Sequence, residues 1–247
     1  MKNIKYTEEE YLDFEEKSLE KYEFYKGAIF TMDRVQVHDL ADTFSTFTQT
    51  NIMNTLPVLK YTEEEYLEME EKSLEKHEFH KGEIFAMAGA SIPHNQITRN
   101  TLTAIDDFLK KTGKCQIFPS DLKIHSLGNS LYTYPDLSII CGEIKTLGKN
   151  KSVVTNPSVL IEVLSKSTQD YDRGGKFKLY RDIPSLKEYI LISSFQTQVE
   201  KYERQADGKW LFQEYKSESE LLKINSINLE VLIKDLYRNV VFDANEQ

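Results

Sequence analysis

The run Val159-Leu-Ile-Glu162-Val163-Leu164 reads as a β-strand with a carboxylate in the middle of it. Burying an unpaired charge in such surroundings costs several kcal/mol or more, so any fold that keeps this strand must bring Glu162 a cation or a metal. A second acid stands in a similar place, Asp136 in Tyr134-Pro135-Asp136-Leu-Ser-Ile-Ile. Downstream, Asp172-Arg173-Gly174-Gly175-Lys176-Phe-Lys178-Leu-Tyr180 can supply the positive partner.

The pattern around these residues predicts an α/β fold. A helix is expected over Pro93–Lys111, with Ile97, Leu102, Ile105, Phe108 and Leu109 on one face, Pro93 in its first turn and Gly113 at its exit. Short strands follow at Lys114–Phe118, Leu122–Ser126, Leu131–Tyr134 running into Asp136–Cys141, and Ser158–Leu164. Asp170–Arg181 reads as a helix and Glu188–Ile192 as a strand. Val199–Arg204 and Trp210–Tyr215 flank Ala206-Asp207-Gly208, a hairpin signal, and Leu229–Leu236 is expected to be a closing helix. Helix, strands, helix and strand again predict a mixed central sheet flanked by helices.

The front of the chain is duplicated. Tyr6–Phe30 recurs as Tyr61–Phe85, an offset of 55, with 20 of 25 positions identical. Two copies are too few for a stacked repeat array. In the second copy Thr62 and Glu65 have the spacing of a capping box, and Tyr61 and Tyr66 that of a hydrophobic staple. Each copy ends in Lys-Gly and a short strand, but only the second runs on into a patterned domain. The expected organisation is an appendage over residues 1–60 and a domain over 61–247.

Bulk properties narrow the function. The 247 residues suffice for a full hydrophobic core. No apolar run reaches the roughly 18 residues of a membrane helix, and the first residues do not resemble a signal peptide, so the cytoplasm is the expected compartment and no membrane is expected as a partner. Cys115 and Cys141 show no metal-ligand spacing and read as reduced core residues rather than a disulfide. The net charge of −9 argues against nonspecific nucleic-acid binding by the whole surface. Residues 145–187 nonetheless hold nine Lys or Arg against four Asp or Glu.

Asp136 and Glu162 come from neighbouring predicted strands, where same-face side chains can approach within about 5 Å. Two carboxylates at that distance can share one divalent ion. Magnesium fits, because it takes few protein oxygens and keeps waters, and the carbonyl of Val163 can add a ligand. Such an ion activates a bound water and offsets charge on phosphorus, while Lys176 polarises the water or steadies the oxyanion. The same three side chains could also form a structural salt bridge.

The longer string, Pro135-Asp136, then Glu162-Val-Leu-Ser165-Lys-Ser-Thr, then Asp172-Arg-Gly-Gly-Lys176 with Tyr180, resembles the Uma-two family, a branch of the PD-(D/E)xK nuclease superfamily. The resemblance covers residues 61 to about 237, including Glu78-Phe-His-Lys-Gly82-Glu-Ile and His94-Asn95 with Ile97. It implies a restriction-endonuclease-like core, DNA as substrate, Mg²⁺ with Mn²⁺ as a substitute, and Asp136 and Glu162 as ligands. It also implies Glu78 as a site acid contributed by the first helix. The superfamily places its lysine two residues after the Glu, where this chain has Leu164. The lysine is therefore expected on the next helix, at Lys176, with Lys178 as the other choice.

Around this set, His94 at a helix N-terminus could meet phosphate or simply cap. Arg173, Lys178 and Ser165 are further candidates for substrate contact. Two functions follow. The first is a metal-dependent endonuclease, which could act as a homodimer. The second is a nuclease fold without catalysis that binds nucleic acid or protein.

Overall fold

The computed structural model describes residues 60–242 other than 88 and 149, together with the backbone of strands β1 (Tyr22–Tyr25) and β2 (Ala28–Thr31). The chain divides into two compact units, residues 1–87 and 88–247.

In the first unit, helix α1 (Glu63–Lys72) starts as its sequence predicts. Thr62 Oγ1 accepts from Glu65 N at 3.1 Å, and Glu65 Oε2 accepts from Thr62 N at 2.7 Å. This reciprocal pair satisfies two of the amide donors that a helix start leaves over. Tyr66 is fully buried, donates to His77 O at 2.7 Å and stacks on Phe79. Strands β3 (His77–His80) and β4 (Glu83–Ala86) form a hairpin whose turn residues Lys81 and Gly82 both have positive φ, +50° and +92°. At Gly82 a Cβ would come within 2.8 Å of Lys60 Cβ, so only glycine fits.

The duplication extends to backbone pairing. β1 and β2 pair antiparallel with Tyr22 opposite Thr31, and β3 and β4 with His77 opposite Ala86, the same register at the same offset of 55. Residues 8–17, the first copy's counterpart of α1, and residues 32–59 lie outside the described residues.

The second unit opens with helix α2 (Ile92–Thr112), capped by Ser91 and closed by Gly113 at φ +65°. There follow β5 (Cys115–Pro119), β6 (Lys123–Ser126), β7 (Leu131–Thr133), β8 (Leu137–Cys141), β9 (Thr146–Leu147) and β10 (Asn150–Val154). After β11 (Val159–Leu164) comes helix α3, made of Gln169–Tyr171, a π turn over Asp172–Lys176, and Phe177–Tyr180. The chain then forms β12 (Glu188–Ser193), β13 (Val199–Arg204), β14 (Trp210–Tyr215), β15 (Leu221–Ile224), β16 (Leu229–Leu232) and the short helix α4 (Ile233–Leu236).

The main sheet runs β14-β13-β12-β11-β8-β5. Its one parallel pair is β11 with β12; the other neighbours are antiparallel, so the sheet is mixed. In a second mixed sheet β7, β6, β10 and β9 lie side by side, with β6 and β10 parallel. Alternation along β11 divides the core. Val159, Ile161 and Val163 pack with Ile97, Ile105 and Leu109 of α2. Leu160 and Leu164 pack on the other face with Tyr180 and, further out, Phe177 and Leu179 of α3.

Three local expectations are corrected. Leu229–Leu236 is a strand followed by one helical turn, because Leu229 and Val231 are buried around an exposed Glu230, a period of two. Leu131–Thr133 and Leu137–Cys141 belong to different sheets, parted at Pro135, which has no N–H to continue a ladder. Cys115 and Cys141 are not reduced: they face each other across β5 and β8 and form a disulfide. The cysteines therefore give no argument for a reducing compartment. Among the described residues no helix is both long and apolar enough to cross a membrane.

Candidate functional site

Glu162 sits on the α3 side of β11, 5% exposed among apolar neighbours. The antiparallel pairing of β8 and β11 ends with Leu137 opposite Ile161, so the next opposed positions are Asp136 and Glu162. Here the ladder is replaced by side chains. Val163 N donates to Asp136 Oδ2 at 2.7 Å, and Asp136 N lies 3.3 Å from Glu162 Oε2. Each acid thus takes a main-chain donor from the other's strand, and the two carboxylates are held at one strand end.

Helix α3 brings the rest. Lys176 Nζ is 3.2 Å from Glu162 Oε1 and 3.6 Å from Asp172 Oδ1. Tyr180 donates to the same Glu162 Oε1 at 2.9 Å, and its hydroxyl also meets Thr133 Oγ1 at 2.9 Å. Asp172, Lys176 and Tyr180 are all buried. Residues four apart rotate forward around an α-helix, while the wider π turn rotates them back, so the π turn between Asp172 and Lys176 offsets the drift from Lys176 to Tyr180. All three then share the Glu162 side. Gly175 in this turn lies under Tyr171, whose ring carbons would be 2.6 Å from an added Cβ.

From the opposite sheet face, the first turn of α2 contributes His94, with Nε2 3.2 Å from Asp136 Oδ2. Its Nδ1 is buried without a hydrogen-bond partner. The group therefore contains three carboxylates (Asp136, Glu162, Asp172) and one ammonium, Lys176. Burial beside these acids pushes the Tyr189 phenol far above its ordinary pKa, burial first and the charge of Glu162 next. Tyr189 therefore acts as a neutral donor, to Asp172 O at 3.1 Å.

The structure separates the two candidate lysines: Lys176 is buried against Glu162, while Lys178 is exposed. Arg173 is occupied by Glu200, with Nη2 at 2.7 Å, and that carboxylate raises the guanidinium pKa. Ser165 does not bond the carboxylates. Its hydroxyl meets Ser167 and Thr168 and accepts Thr168 N at 3.2 Å, a local turn before α3. Glu78 stands on β3 of the first unit rather than on a helix. Asp172 and Tyr180 were not among the expected site residues. Their signal was the i, i+4, i+8 spacing through Lys176, which marks one helical face.

A metal requires donors that match it. Among the described residues no three or more His, Cys, Asp or Glu side chains gather as a metal site. Two carboxylates and a main-chain carbonyl are instead the sparse oxygen set that Mg²⁺ accepts while keeping its waters. The surplus negative charge also favours a cation, so the residues fit.

Residues 63–233, which include the whole of this group, match the Uma2 family, whose description is "Putative restriction endonuclease". Two uncharacterized Synechocystis proteins, slr1290 and sll1609, are each 40% identical to the chain, over 186 and 158 residues. The first alignment covers 75% of this chain and 96% of the relative; the second covers 64% and 89%. The fold resembles the crystal structure of a "putative nuclease belonging to DUF820" from Anabaena variabilis, with a TM-score of 0.60 and 18% identity over 72% of this chain and 98% of that one. By its match over residues 63–233 and its 40% identity to these relatives, the chain belongs to the Uma2 family.

Proposed function

We propose that this protein is a divalent-metal-dependent endonuclease that hydrolyses phosphodiester bonds in DNA with an activated water. The observation that carries the reading is the convergence of Asp136, Glu162 and Lys176 on one strand end, from three separate stretches of chain. Asp136 and Glu162 would hold Mg²⁺, with Mn²⁺ as a substitute. In a strand the N–H and C=O of one residue point to the same edge, so the Val163 carbonyl faces the side where its N–H meets Asp136. When bound, such an ion lowers the pKa of a water and offsets charge on phosphate.

The chain's own residues do the positioning. Tyr180 and Lys176 both bond Glu162 Oε1 and fix the carboxylate. Lys176, steadied by Asp172, directs its ammonium at the attacking water and at the charge that develops on the phosphate oxygens. Lys145, Lys151, Lys166, Lys178, Arg181 and Lys187 are exposed and can attract the DNA backbone despite the acidic whole.

The test is nicking of supercoiled plasmid during titration with Mg²⁺ or Mn²⁺. The parent should cut, leaving 5′-phosphate and 3′-hydroxyl ends as the superfamily resemblance implies. Asp136→Ala and Glu162→Ala should each abolish cutting with unchanged far-UV circular dichroism. Undiminished cleavage by both variants would remove these residues from the site. A parent that neither cuts nor takes up metal would instead be a nuclease fold kept for binding.

A further inference from the structure

The π turn of α3 lies across one row of the main sheet. Glu162 of β11, Leu191 of β12, Glu200 of β13 and Glu214 of β14 are opposed in register, so their side chains share the α3 face. Glu200 stands two strands from Glu162, about 10 Å away at ordinary strand spacing. Lys176 takes Glu162, and Arg173, earlier in the same turn, takes Glu200. Arg173 Nε lies 2.9 and 3.2 Å from the two Glu200 oxygens, and Nη2 lies 2.7 Å from Oε1. Glu200 is buried and also accepts from Gln198 Nε2 at 3.2 Å, while Arg173 Nη1 donates to Gln169. Between the two ion pairs, the Tyr189 hydroxyl of β12 donates to Asp172 O at 3.1 Å. Three adjacent strands thus each hold one residue of the π turn. Such a turn is uncommon, and Gly174 and Gly175 bring no side chain to fix it, so its anchoring comes from the residues on either side.

We infer that Arg173 and Glu200 are positioning residues: their clamp fixes the π turn on the sheet and so aims Lys176 at Glu162, and Arg173 does not contact DNA. The catalytic consequence, though not the clamp itself, rests on the endonuclease reading of the site. A guanidinium forked onto a buried carboxylate is committed in direction, so it sets where the neighbouring turn lies.

Plasmid nicking at saturating Mg²⁺ tests this on the parent, Arg173→Gln, Glu200→Gln and the double variant. Each variant should lower kcat by about 10- to 100-fold, since a misplacement of about 1 Å can cost as much. KM for DNA and its dependence on salt should stay as in the parent. The double variant should be no worse than either single one, because all three lack the same clamp. A phosphate contact predicts a different pattern. Arg173→Gln would then raise KM and lower the salt slope by about one, while Glu200→Gln, which frees the arginine, would lower KM. That pattern overturns the inference, as does parental kcat in both single variants. Urea titration supplies an arm that needs no catalysis: the stability lost on Lys176→Ala should shrink in the Arg173→Gln background, where the lysine is no longer seated on Glu162. Simple repulsion between the two cations would make that loss grow, and an independent arginine would leave it unchanged; either result overturns the clamp. A parent that cuts no DNA brings down the endonuclease reading, and the urea comparison then still decides the clamp.

Discussion

Lys176 Nζ and Glu162 Oε1 lie 3.2 Å apart, both side chains about nine-tenths buried, although 14 residues separate them in the chain. Removing one member of such a pair leaves the other charge buried, which typically costs about 3–5 kcal/mol. Lys176→Ala should therefore lower unfolding free energy by an amount of that order in urea titration. It should also slow plasmid nicking by about 10²-fold or more, as loss of a preorganised cation does. Lys178→Ala, at an exposed position on the same helix, should stay within about 0.5 kcal/mol of the parent and keep nicking. The reverse pattern would mean that the helix presents the other lysine.

At Gly175, substitution should change sign with its neighbour. A Cβ there would come within 2.6 Å of the Tyr171 ring, so Gly175→Ala should destabilise the parent. Once Tyr171→Ala has removed the ring, the same change should stabilise by about 0.5–1 kcal/mol, the usual helix preference of alanine over glycine. Denaturation midpoints of the parent, the two single variants and the double variant would show it.

His80 predicts a pH dependence. Burial chiefly, and then the charge of Lys81, lower its pKa below 6.5, with Glu83 opposing, and its Nε2 is buried without a partner. The unfolded chain thus binds the proton more readily than the folded one. Stability should fall as pH drops from 6.5 towards the folded pKa, with the full loss present below it and none above 6.5. His80→Tyr, the residue the first copy carries as Tyr25, should flatten this part of a melting-midpoint profile.

The disulfide closes a loop across a sequence separation of 26. Reduction should cost about 3 kcal/mol by loss of that constraint on the unfolded chain. Thermal melts with and without reductant, beside the paired Cys115→Ser and Cys141→Ser variant, would measure it. The paired variant should be insensitive to reductant.

What the sequence determined by itself was local, or carried in one continuous string. The Thr62–Glu65 capping box, the Pro93 start and Gly113 exit of α2, and the hairpin at Asp207-Gly208 each depend on groups within a few residues of one another. The carboxylate inside Val159–Leu164 announced its need for a partner for the same reason: its apolar neighbours are adjacent in the chain. Tertiary structure decided whatever depends on register between distant segments. Pairing of β8 with β11 sets Asp136 opposite Glu162, and the π turn puts Asp172, Lys176 and Tyr180 on the Glu162 side while Lys178 stays exposed. Cross-strand alignment joins Cys115 to Cys141, and the opposite-face helix brings His94 to Asp136. Propensity and spacing act over a turn or two of chain, whereas these contacts arise only when separate elements pack in one register.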